Sequence, residues 1–131
     1  MSTTGPTLSS PKWCAEALSP ERLMPGGAKV LASAFSADSS GKKFIEAGTV
    51  LGRTLTERDA GTALGPADAA DDEVFILAFD VQDASDINDC ELLKPFHGTV
   101  VRESFLPGFS GLASAVQTLV RARYNCIRGA A

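Results

Sequence analysis

Twelve Lys and Arg against sixteen Asp and Glu give this 131-residue chain a formal charge of -4, which repels phosphate backbones at long range and argues against a nucleic-acid partner. Hydrophobic residues make up 44% and charged residues 21%, the balance of a globular protein, and no apolar run approaches the ~18 residues of a membrane-spanning helix, so no membrane role is expected. The length suits one domain of ~100–150 residues with an appended arm, and the first residues show no basic cluster followed by an apolar stretch, so folding in a cytoplasm with reduced thiols is expected.

Met1 to Ser10 is nearly all Ser, Thr, Gly and Pro. Such a composition cannot bury itself, so residues 1–28 are read as an N-terminal arm and residues 29–131 as a single β-rich domain. Ser10-Pro11 and Ser19-Pro20 each place a capping hydroxyl before a proline suited to the first helical position, which predicts short helical turns carrying Trp13, Ala17, Leu18 and Leu23. Pro25-Gly26-Gly27 stops the second. Trp13, the sole tryptophan, precedes every predicted strand, so it either packs back on the domain or anchors the arm to a partner.

Lys29 to Phe35 reads as a strand, and Ser36 to Lys42 as a turn leading to the glycine-punctuated segment Lys43 to Gly52. Gly48 and Gly52 bracket Thr49, Val50 and Leu51 as a strand entered and left through tight turns, forming a hairpin with the preceding strand. Arg53 to Glu73 is polar, with Gly61, Gly65, Pro66 and an acidic run, and reads as a long irregular connection. Val74 to Val81 is too short and too rich in β-branched and aromatic residues for a helix and predicts a buried central strand. A turn rich in Asp and Asn then leads to a short strand at Cys90 to Leu93, closed by Pro95. His97-Gly98-Thr99 opens another strand, Val100 to Phe105. From Gly111 to Asn125, the apolar stripe of Leu112, Ala115, Val116, Leu119 and Val120 predicts an amphipathic helix with Ser110 as N-cap. Arg121 and Arg123 fall in its last turn, where the helix dipole favours cations.

Few residues invite chemistry. Asp80, Asp83, Asp86 and Asp89 recur at every third position, but calcium loops need alternate oxygen ligands, a glycine and a distal glutamate, so no metal site is expected. Cys14, Cys90 and Cys126 lack the close pairing of a zinc site and read as structural. His97, the sole histidine, has no local partner for a nucleophilic arrangement, and the glycine spacings match no phosphate loop, so neither an enzyme nor a cofactor is expected.

Three segments, in order, resemble the head decoration (cement) proteins of tailed bacteriophages, the family of the lambda head decoration protein. They are Ala47-Gly48-Thr49-Val50-Leu51-Gly52, the strand Ile76-Leu77-Ala78 running through Asp80-Val81 into an acidic turn, and Gly98-Thr99-Val100-Val101-Arg102-Glu103 closing on Leu106-Pro107. The likeness covers roughly residues 41–107, and the leading Ser/Thr/Pro arm also looks like the family's. It implies a small β-clip-like or incomplete-barrel domain, mainly β with a C-terminal helix, that is not an enzyme. It further implies a virion protein made in the bacterial host cytoplasm, binding the major capsid protein on the exterior of the expanded head. There it would stabilise the shell against internal DNA pressure, as a homotrimer at or near three-fold positions. In lambda-like members the arm adds as a strand to capsid protein; here Trp13, Leu18, Leu23 and Met24 are the candidate capsid-interface residues. The acidic stretch before Glu73 and the helix after Gly111 depart from the minimal lambda-like pattern. Competing readings are another phage head or tail accessory subunit, a β-rich protein-binding adaptor, and a small cysteine hydrolase using His97.

Overall fold

The computed structural model describes residues 13–14, 20–24, 28–31, 35, 45–81, 87–96 and 99–127. Among these, β1 is Ala28–Leu31, β2 Val50–Arg53, α1 Leu55–Ala60, β3 Gly65–Pro66, β4 Glu73–Ile76, β5 Ile87–Cys90, β6 Val100–Arg102, α2 Ser114–Arg123 and β7 Asn125–Ile127. The strands form small sheets in the orders β1-β5, β3-β2-β4 and β6-β7, giving a mainly β, α+β domain.

β4 organises the interior because successive side chains of a strand point to opposite faces. Val74, Ile76 and Ala78 enter one hydrophobic cluster with Val50, Leu93, Val101, Val116 and Val120, whereas Phe75 and Leu77 enter a second with Val30, Leu51, Leu64 and Leu92. Both of its faces are therefore buried, which explains a nearly continuous apolar run where a half-exposed strand would alternate. Antiparallel β2 lies on one side, with Leu51 opposite Phe75. Residues 91–93 lie on the other, through Ala78 N–H to Glu91 O at 2.8 Å and Leu93 N–H to Ile76 O at 2.9 Å. The central-strand expectation for residues 74–81 is thus met by β4 and its extension.

Among the described residues, β1 does not pair with the glycine-rich segment. It pairs antiparallel with β5, Ala28 opposite Cys90 and Leu31 opposite Ile87, while its other edge exchanges bonds with Leu64 (Leu31 N–H to Leu64 O at 2.7 Å, Leu64 N–H to Lys29 O at 2.9 Å). This long-range pairing buries Val30 and Cys90. The strand expected at 90–93 is met in part, β5 beginning earlier and ending at Cys90 while Leu92 and Leu93 pair as single bridges with Leu77 and Leu23, and the expected turn at 36–42 lies outside the described residues. Gly48 does make a turn, at φ 94°. Gly52 does not: it sits inside β2, opposite Val74, and a Cβ there would overlap the Asp71 carboxylate.

Residues 53–73 are also more ordered than expected. Thr54 and Glu57 form a reciprocal capping box, Glu57 N–H donating to Thr54 Oγ1 at 3.1 Å and Thr54 N–H to Glu57 Oε1 at 2.8 Å. Gly61, at φ 76°, closes α1 in the left-handed conformation that suits glycine. At the other end of the chain, the strand expected over 100–105 stops at Arg102, and Glu103–Phe105 turns into a 3₁₀ segment. The helix begins at Ser114 instead of 111, its N-cap Ala113 offering no side-chain bond, because Phe109–Gly111 forms a separate 3₁₀ turn that buries Phe109. This run is the crossover that lets β7 return parallel to β6, Val101 opposite Cys126. Ala115 faces solvent while Val116 and Val120 carry the buried stripe.

Tyr124, just past α2, fastens the helix to the sheet. Its hydroxyl donates to Leu93 O at 2.8 Å and accepts from Ile76 N–H at 3.2 Å, occupying a ladder position between β4 and residues 91–93. Tyr124→Phe leaves a buried N–H and C=O without that partner, and is expected to lower unfolding free energy by ~1–3 kcal/mol in urea titration. Burial also pushes the phenol up from its ordinary value of 10.0. The stabilisation from keeping it neutral is present below the unfolded phenol's pKa and is lost as pH rises above it, so wild type should lose stability above roughly pH 10 more steeply than Tyr124→Phe.

Candidate functional site

Of the four residues proposed from sequence as a partner-facing set, the three among the described residues, Trp13, Leu23 and Met24, pack on the domain. Trp13 is only 4% exposed and belongs to the core cluster with Val50, Leu106 and Val116. Its carbonyl accepts Arg102 N–H at 2.7 Å, and Cys14 bridges to Val101, so this piece of the N-terminal segment lies along the edge of β6. Leu23 bridges to Leu93 and packs on the same cluster; Met24 N–H donates to Leu92 O at 2.9 Å and the side chain packs on the second cluster. Leu18 lies outside the described residues, as do Asp83, Asp86 and His97. Trp13 resolves the choice left open by the sequence in favour of packing on the domain.

Gly48 explains why the tryptophan fits. A Cβ at residue 48 would stand 2.7 Å from Trp13 Nε1 and 2.8 Å from Pro107 Cδ, so the bare backbone lets the indole and the proline ring close over the turn. Gly48 N–H is held by Leu77 O at 2.7 Å. The three sequence motifs therefore meet at one place, around a ring contributed by the N-terminal segment.

A second arrangement was not anticipated. Arg53 stacks over Phe75 at 5.3 Å from the ring centre, Arg123 covers Phe75 at 4.8 Å, and Arg123 also lies 5.2 Å from the centre of Phe96. The result is an alternating cation and aromatic stack running from the core outward. Glu73 neutralises Arg53 at 2.9 Å and reaches Arg58 at 3.7 Å. Arg123 has no carboxylate among the described residues, and its Nε is buried without a hydrogen-bond partner. Phe96 is 72% exposed and holds φ 60°, the left-handed region that a bulky side chain rarely enters. An aromatic side chain directly after Lys94-Pro95, in an otherwise polar turn, was the available sequence signal.

Elsewhere, buried Glu103 receives a two-pronged bond from Arg121, at 2.9 and 2.6 Å, beside an open depression of about 550 Å³ lined by Ser104, Phe109, Ser110 and Gln117. The pair holds the guanidinium charged and raises its pKa through the direct hydrogen bond. Arg121 thus has a specific partner beyond the helix terminus. Asp71, tucked over Gly52, is raised chiefly by burial, against the Asp68 N–H that favours its charged form.

Compared with protein-family models, curated proteins and solved structures, the chain matches none. Among the described residues no helix is long and apolar enough to cross a membrane, and no cluster of three or more His, Cys, Asp or Glu is placed to hold a metal.

None of the three cysteines is in a disulfide, and they differ in access. Cys14 and Cys90 are buried, Cys126 partly so. Burial, with Glu91 and Asp89 nearby, pushes the Cys90 thiol up to about 11. Thiolate is the reactive form, so Ellman's reagent at neutral pH is expected to modify Cys126 in the native protein and to reach Cys14 and Cys90 only after unfolding. Equal rates for all three in native buffer contradict this placement.

Proposed function

We propose that this chain is a structural virion protein that binds the outer surface of the expanded head of a tailed phage and stabilises it against internal DNA pressure. The observation that carries the reading is the convergence of the three resembling segments. Gly48 of the first packs on Pro107 of the third, Ile76 of the second pairs with Val50 and Leu77 with Gly48 and Thr49, and Trp13 closes over them. Segments that are weak signals singly form one packed unit, as a shared scaffold requires. The proposed architecture is β-clip-like or an incomplete barrel, with copies of the chain arranged as a homotrimer at or near three-fold positions and the major capsid protein beneath.

The core position of Trp13 narrows what the arm does in this proposal. Residues before it, rich in Ser, Thr and Pro, are the ones left to add to capsid protein as a strand. Removing a buried tryptophan leaves a large cavity, so Trp13→Ala is expected to cost ~3–5 kcal/mol of domain stability, read by chemical denaturation. A truncation beginning at Lys12 keeps the ring, and is expected to melt like the full chain while coating heads poorly.

Mixing the purified full chain with expanded, undecorated heads tests the function. The expected outcome is saturable binding and a rise in the temperature at which heads rupture. Absence of both, across heads from a panel of tailed phages, overturns the proposal. Electron microscopy of coated particles then reads the oligomer directly: density in threes supports the trimer, and isolated copies refute it.

A further inference from the structure

We propose that Phe96, seated on Arg123, is a preformed anchor for a protein partner whose surface offers an apolar pocket rimmed by carboxylates. Four observations meet at this residue. Its ring is 72% exposed, the most exposed of the large hydrophobic side chains in the described residues. Its backbone is held at φ 60°, a conformation that costs a phenylalanine free energy and persists only where the surroundings enforce it. The surroundings do so on both sides: Phe96 N–H donates to Arg123 O at 2.8 Å, and Lys94 N–H to Arg22 O at 2.7 Å, pinning the turn between the helix end and the N-terminal segment. Beneath the ring, the Arg123 guanidinium is clasped between Phe75 and Phe96 with its Nε lacking an acceptor.

Charge selects the occupant. The chain carries -4 overall, yet the stack under Phe96 joins Arg53 and Arg123, and Lys94 precedes the ring by two residues. The carboxylate tied to the stack, Glu73, is already shared by Arg53 and Arg58. Among the described residues, the groups joined here, Arg53, Arg58, Arg123 and Lys94 with Glu73 and Asp59, sum to a positive charge on a chain that is negative overall, so an acidic partner gains attraction at this place that the net charge of the chain does not offer. Aromatic and arginine side chains side by side are also the composition of interface hot spots. A bare phosphate or a nucleic acid would use the cations and leave the projecting ring without a pocket; an apolar protein surface alone would strand the guanidinium. A pocket with an acidic rim satisfies both.

The strained φ provides a clean test. Glycine adopts φ 60° without cost, so Phe96→Gly is expected to keep or raise the melting temperature while removing the anchor. Arg123→Gln keeps much of the stem and removes the charge. The probe is a synthetic peptide rich in Glu and Leu, with a counterpart bearing Lys at every Glu, titrated into the isotopically labelled full chain and followed by amide chemical shifts. The expected result is salt-sensitive perturbation centred on Phe96 and Arg123 with the acidic peptide only, weakened about tenfold or more in each variant. Perturbation elsewhere, equal response to the basic peptide, or unchanged binding by Phe96→Gly overturns the inference. A fall in the melting temperature of Phe96→Gly with unchanged binding assigns the ring a structural role and does the same.

On the reading proposed above, the acidic partner is capsid protein, and undecorated heads separate the two claims. If the wild-type chain coats heads and Phe96→Gly coats them equally, the decoration role stands and the anchor falls. If the wild-type chain ignores heads while the acidic peptide maps to Phe96, the anchor stands and the decoration role falls.

Discussion

The fold depends on one strand being buried on both faces. β4 and its continuation to Ala78 send Val74, Ile76 and Ala78 one way and Phe75 and Leu77 the other, so every other element is placed by which of the two faces it covers. α2 and the β6-β7 pair cover the first; β1, β5 and Leu64 cover the second. A chain of this size buries a limited fraction of its surface, and a strand flanked on both sides lets short elements share one pair of packed layers. The strands can stay at two to four residues because their side chains are consumed by the central strand, with little contribution from long ladders.

The ends of the sheet layer are closed by side chains doing backbone work. Tyr124 inserts its hydroxyl between Ile76 N–H and Leu93 O, beside the direct bond from Leu93 N–H to Ile76 O, and Trp13 covers the turn at Gly48 together with Pro107. Both solutions depend on residues distant in sequence, so segments near the two ends of the described chain pack into the same cluster on one face of β4. That is why a segment whose composition marks it as an arm contributes a core tryptophan. Composition describes the average of a stretch, and a single indole in the right place outweighs its neighbours.

Elements with strong local apolar patterning were legible in the sequence: β4 from its unbroken hydrophobic run, the turn at Gly48, and the body of α2 from Val116 and Val120. Others were hidden because their determinants are not periodic. α1 buries no side chain, so no stripe reveals it, although Thr54-Leu55-Thr56-Glu57 followed by Gly61 spells a capping box and a left-handed stop. The start of α2 was misplaced because Ser110 looks like a cap, whereas burying Phe109 requires a separate turn there. β1 was matched to its neighbour in sequence, since nothing local distinguishes a hairpin from the pairing with β5 that buries Val30. At the surface, the cation stack could not be inferred at all. Arg53, Phe75, Phe96 and Arg123 come from four separate segments, and only the assembled domain brings them within ring-stacking distance.

That stack also links the surface to the interior. Phe75 is a core residue of the second cluster, Arg123 ends the helix that covers the first, and Phe96 rides on both through one ring and one backbone bond. An exposed aromatic on a free loop would have to be ordered upon binding, and the loss of its freedom would subtract from affinity. Here the freedom is removed during folding, with the unfavourable φ at Phe96 offset by packing elsewhere in the domain. The consequence is a projecting ring whose position is tied to β4 through Arg123 and Phe75.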